Sequence, residues 1–182
     1  MKAILALLGF LFLAPQVFAD PRISEIKIDL DGERVLAGFT LRDAFDRRLT
    51  ERVDSGLPTT ILYSFELHRD RKRWLDRRLK EAALEVTALH DAVARAYTVH
   101  FKLDGELVES RTVRDRKALE EAMTQIVGLP VFTFEGVPRG GRLLVKIRAE
   151  LGSGTILSFI PVAITTDWKE SRKFRIPAPA PS

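Results

Sequence analysis

The chain contains no cysteine among its 182 residues, which excludes a disulfide framework, a cysteine nucleophile and a thiolate metal site. Histidine is scarce, with three in all, and tryptophan and tyrosine occur twice each. Long apolar runs are missing apart from one, Ala3 to Leu13, so the chain is not a polytopic membrane protein. A surplus of one charge sign is also missing: 29 basic residues stand against 25 acidic ones. The resulting +4 is far short of a nucleic-acid-binding stripe. The remaining composition is that of a folded chain. At 46% hydrophobic and 30% charged, with a mean hydropathy of −0.03, the sequence buries enough apolar surface to offset its ordering entropy. Its length fits one domain.

The N-terminus reads as an address. Met1-Lys2 gives a short positive start and Ala3–Leu13 an apolar stretch of eleven residues. Pro15 breaks any helix, and Val17-Phe18-Ala19 sets up a cut after Ala19. These are the three parts of a secretory signal peptide. The apolar stretch is about half of the roughly 20 residues that a membrane span needs. The expectation is therefore an exported protein with residues 1–19 removed and no integral membrane span left. No cysteine follows for lipid attachment.

Period-2 alternation dominates the rest and predicts strands. Ile26, Ile28 and Leu30 lead through Asp31-Gly32 into Val35, Ala37, Phe39 and Leu41, a hairpin signal. Further apolar faces are Ile61-Tyr63-Phe65-Leu67, Tyr97-Val99-Phe101-Leu103 and Leu143-Val145-Ile147-Ala149-Leu151. Asp104-Gly105 predicts a second tight turn into Glu106–Arg111, and Thr155–Ala163 reads as one buried strand. Two segments read as helices: Asp43 to Ser55, with Phe45, Leu49 and Val53 on one stripe, and Asp115 to Val127, with Leu119, Met123 and Val127. Gly56-Leu57-Pro58 and Gly128-Leu129-Pro130 would then be matching helix exits. The pattern predicts a mainly β protein, an antiparallel β-sandwich of immunoglobulin-like architecture with two short intercalated helices. Residues 20–176 would form that single domain, and residues 177–182 a disordered Pro/Ala tail.

Chemistry-bearing patterns are few. His68 and His100 share strand faces with polar residues, and His90 adjoins Asp91 in an expected turn, so all three read as surface histidines. Their spacing makes no zinc motif. G-x-S-x-G and H-E-x-x-H are absent. Ser24–Lys27 matches S-x-x-K, but strand parity sends the two side chains to opposite faces. Gly140-Gly141 and Gly152-Ser153-Gly154 lack phosphate-loop spacing and read as turns at strand ends. No catalytic, cofactor or metal site is therefore assigned.

The unusual segment is Arg69 to Lys80, with seven basic residues, two acids and Trp74 near its centre. Its ordinary use is a solvated hairpin tip whose charges keep a strand edge apart. Its functional use is a docking surface, because Trp and Arg dominate interface hot spots. Arg71, Arg73, Trp74, Arg77 and Arg78 are the candidate contacts. Trp168, in the second basic-aromatic stretch Asp167–Arg175, joins them. The partner would be an envelope protein or an anionic membrane surface, not nucleic acid.

Taken together, Ser55-Gly56-Leu57-Pro58, Tyr63-Ser64-Phe65-Glu66-Leu67, the Arg71/Trp74/Asp76 pattern, Leu129–Val131 and Asp167-Trp168 resemble an exported bacterial family. That family is known only as domain of unknown function 4390. The resemblance runs from Ile23 to Arg175. It implies a Gram-negative periplasmic protein with no established activity and no catalytic residues to carry over. Members encoded near a membrane sensor kinase imply an accessory role to a sensor or envelope complex. The functional expectation is a non-enzymatic binding or accessory module. The alternative is an enzyme on an envelope polymer using paired carboxylates, a pairing that only a structure reveals.

Overall fold

The computed structural model describes residues 20–71, 77–138, 140–156 and 160–177. The expected cut after Ala19 lies outside them, as do residues 178–182 of the tail. Two antiparallel sheets share one hydrophobic core. In the smaller, Arg34–Arg42 (β3) is flanked on one side by Arg22–Ile23 (β1) and Lys27–Asp31 (β2), and on the other by Gln125–Thr133 (β8). The larger is built on Thr59–Arg69 (β4), Arg77–Asp91 (β5), Ala96–Leu103 (β6), Glu106–Val113 (β7) and Leu143–Ile156 (β9). Ile160–Thr165 (β10) and Lys169–Glu170 (β11) line the outer edge of β9, giving the order β10-β9-β4-β5-β6-β7.

The alternation read from the sequence is what packs. Val35, Ala37, Phe39 and Leu41 of β3 are buried against Ile61, Tyr63, Phe65 and Leu67 of β4 and Val145, Ile147 and Ala149 of β9. The Phe39 ring meets Tyr63 and Phe65 edge-on, at centroid distances of 5.2 and 5.9 Å, the geometry that the ring quadrupoles favour. Asp104 (φ +50°) and Gly105 (φ +86°) form the expected turn, both with the positive φ that a tight hairpin requires. The first hairpin turns one residue later than Asp31-Gly32 implies, on Gly32-Glu33, because Asp31 still pairs with Arg34.

Several expectations are corrected. The first helix is shorter, Arg47–Asp54 (α1), because Asp46 caps it by accepting the Leu49 amide at 2.8 Å, while Asp43 sits at φ +58°. The second, Arg116–Thr124 (α2), ends three residues early. Ile126 and Val127 are β-branched, suit a strand as well as a helix stripe, and belong to β8 with Gly128 and Pro130. The second Gly-Leu-Pro is thus a bulged edge strand and not a helix exit. Gly128 (φ +61°) lies where Ala37 and Phe39 pair with Leu129 and Ile126, so two residues face Gly38. Pro130 is tolerated because β8 is an edge. Thr155–Ala163 is not one strand: β9 runs to Ile156, and β10 begins at Ile160 antiparallel to it. Gly152 and Gly154 are therefore interior to β9, and only Gly140-Gly141 (φ +82° and +100°) is a turn. The run around Ser24 is a break between β1 and β2, where the Ser24 hydroxyl accepts the Thr40 amide at 2.8 Å.

Candidate functional site

The two basic stretches, 98 residues apart at Arg69 and Asp167, converge in part at one end of the larger sheet. The β4–β5 ladder carries Arg69 directly opposite Arg77 and His68 opposite Arg78, after a bulge between Leu67 and His68. Like charges directly across a ladder repel. One acid of this tip, Asp70, already serves other cations: its side chain is 10% exposed and lies 3.0 Å from both Arg142 Nε and Lys173 Nζ. Asp70 also donates its amide to the Arg142 carbonyl at 2.8 Å. Phe174 pairs with Leu143 through two backbone bonds of 2.9 Å, which lays residues 172–175 alongside the start of β9. Arg69 completes the end by donating to the Gly140 carbonyl at 3.2 Å.

Behind this rim, parity sets Glu66 and His68 on the outer face of β4, away from the core. His68 Nε2 lies 2.7 Å from Glu66 Oε2, and Arg78 donates to Glu66 Oε1 at 2.9 Å and reaches Glu81 at 3.1 Å. Burial alone raises the Glu66 carboxyl, but the bonds from His68 and Arg78 outweigh it and hold it below the ordinary carboxylate range. His68 is not a surface histidine: it is 9% exposed, and its Nδ1 is buried without a partner. The reason is its neighbour in register, Leu144, which is buried on the same outer face. His90 and His100 are half-buried, the first stacked on Tyr97 at 4.7 Å and the second 3.2 Å from the Ser110 hydroxyl. Among the described residues no three metal-ligating side chains converge.

Of the predicted contacts, Arg71 and Arg77 are exposed at the tip, and Arg78 is committed to Glu66 and Glu81. Arg73 and Trp74 lie outside the described residues. Trp168 is not brought to the tip. It is 37% exposed under the Arg148 guanidinium, 4.7 Å from the ring centroid. Arg148 is four positions along β9 from Leu144, about 13 Å at strand rise. Arg142 and Lys173 were not singled out from the sequence, since nothing local ties them to Asp70. The Glu66–His68 pair was legible from parity. An open groove of about 520 Å³ lies beside this end, between Glu25–Asp29 and Arg172–Phe174 and spanned by the Arg172–Glu25 ion pair at 2.8 Å.

A family model described as Domain of unknown function (DUF4390) matches residues 19–171. The chain belongs to that family. Neither a curated protein nor a solved structure matches it. The match spans both sheets and Asp70, Arg77 and Arg142 of the basic end of this DUF4390 chain, but stops short of Lys173.

Proposed function

We propose that this DUF4390 chain is a non-enzymatic, exported accessory module that docks an acidic surface of an envelope protein on the basic end of its larger sheet. The observation that carries the reading is the Arg69–Arg77 juxtaposition beside an acid already used by Arg142 and Lys173. A fold that needed this end only for stability would gain by placing an acid opposite Arg69. Arg77 then presents a guanidinium fork that matches a carboxylate. The signal-like sequence at residues 1–19 supports export to the periplasm. Among the described residues, no helix is long and apolar enough to cross a membrane.

The enzymatic alternative needs a carboxyl held protonated near neutral pH. Glu66, the carboxyl on the outer face of β4, is pushed the opposite way, which favours the binding reading. The test is in-cell crosslinking of the tagged protein, comparing wild type with a variant carrying Arg71→Glu, Arg73→Glu and Arg77→Glu. Arg78 is left alone because it holds Glu66 and Glu81. One dominant protein partner, lost in the variant, is expected. Recovery of that partner by the variant would overturn the site, and recovery of lipid or glycan in place of protein would overturn the partner class.

A further inference from the structure

The larger sheet ends in β7, an eight-residue strand whose residues are nearly all exposed and whose far side has no neighbour among the described residues. Leu107 and Val108 stand 58% and 50% exposed on it. Such an edge offers unpaired amides and carbonyls to any other strand, and proteins commonly blunt it with charged side chains, lysine above all. The charges on β7 are of both signs, and their order is self-complementary. Turned about Ser110 as a two-fold centre, an antiparallel second copy sets Glu109 opposite Arg111 and Arg111 opposite Glu109. Both residues lie on one face, since Glu109 pairs with Phe101 and Arg111 with Val99 on β6. At the ends Glu106 meets exposed Arg114 of the other copy. The bulge between Phe101 and Lys102 leaves Glu109–Val113 regular, and beyond it Leu107 meets Val113 and Val108 meets Thr112. Within one copy, Arg111 already donates to Glu109 at 2.8 Å and lies over the Phe101 ring at 4.7 Å. The side chains that would cross the axis are therefore held at the edge before pairing.

We infer that β7 is a homodimer edge, on which two copies of this chain pair antiparallel about Ser110 and join their larger sheets into one. The interface is isologous, as a two-fold requires. It is short, which places it among weak, reversible contacts.

Sedimentation of the purified full chain from about 5 to 300 μM covers the range that so small an interface calls for. The expected result is a rise from 20.5 kDa toward twice that mass. Glu109→Arg alone places Arg against Arg across the axis, and Arg111→Glu alone places Glu against Glu, so each variant stays monomeric. Mixed in equal amounts they dimerise, because every crossing is then Arg to Glu. That rescue separates pairing through β7 from association through the apolar run at Ala3–Leu13, which the substitutions leave untouched. A wild type monomeric throughout, single variants that associate as the wild type does, or a mixture that stays monomeric would overturn the inference. Amide exchange on the wild type is a second readout: residues 109–113 should exchange more slowly at high concentration, and equal rates would also overturn it.

Discussion

Two buried or half-buried side chains contribute to the molecule's response to pH from opposite ends of the scale. Glu66 is ionised in the fold below its ordinary range because His68 and Arg78 both bond it. A depressed carboxyl adds stability above its unfolded value of about 4.3 and loses it as pH falls through the lower folded value. Glu66→Gln should therefore cost about 1–3 kcal/mol near neutral pH, with the gap to wild type closing only in strong acid. Urea midpoints from pH 7 to pH 2 would check this, and a gap that stayed constant to the lowest pH would refute it. Tyr63 acts at the alkaline end. It is fully buried, its hydroxyl donates to the Met123 carbonyl at 2.9 Å, and burial pushes its ionisation well above the ordinary value of 10. Folding stability from a raised group is complete below about pH 10 and falls as pH rises beyond it. Tyr63→Phe should flatten that alkaline loss. At pH 7 it should lower stability by about 1–3 kcal/mol, because the Met123 carbonyl is left buried without its donor. Thermal melts at pH 7 and pH 10.5 distinguish the two effects.

At the scale of elements, the sequence revealed strands wherever one face is apolar and the other polar, as in Ile61 to Leu67, whose four inward residues are fully buried. It failed where two periods coincide. Leu119, Met123 and Val127 fit a helix stripe, yet Ile126 and Val127 are β-branched and the chain leaves the helix at Thr124, where β3 offers pairing along Gln125–Thr133. Tertiary partners decided the boundary, and they are not local information. Glycine shows the same limit. Gly128 serves a bulge through its positive φ, with open space where a methyl group would stand, whereas a Cβ on Gly152 would come 2.9 Å from the Thr60 carbonyl oxygen. Gly128→Ala should cost about 1–2 kcal/mol from the left-handed backbone, and Gly128→Asn should recover part of that. Gly152→Ala should cost about 1–3 kcal/mol by forcing β4 and β9 apart, with Asn no better. Urea unfolding of the four variants checks the contrast, and a Gly152→Asn as stable as wild type would refute the close approach.

Across the whole molecule, the basic end was half legible. Its arginines were visible in one run, but their juxtaposition with Arg142 and Lys173 comes from β9 and residues 172–175 meeting the β4–β5 tip, which no sequence period encodes. Trp168, grouped with them by composition, is held elsewhere by Arg148. That arrangement separates stability from binding at neighbouring residues. Asp70 is nearly buried between two cations, so Asp70→Asn strips them of their counter-charge and should lower stability by about 1–3 kcal/mol. The same change adds positive character to the end and should keep or strengthen capture of an acidic partner. Arg77 is exposed and faces Arg69. Arg77→Glu should leave the unfolding midpoint unchanged within about 0.5 kcal/mol, or raise it by pairing with Arg69. Partner capture should nevertheless fall, and what remains should be less sensitive to salt because fewer attractive charge pairs are left to screen. Denaturation and crosslinking on the same two variants give four readings. If binding followed stability, with Asp70→Asn the poorer binder and Arg77→Glu the equal of wild type, the basic end would be a structural rim and the partner would dock elsewhere.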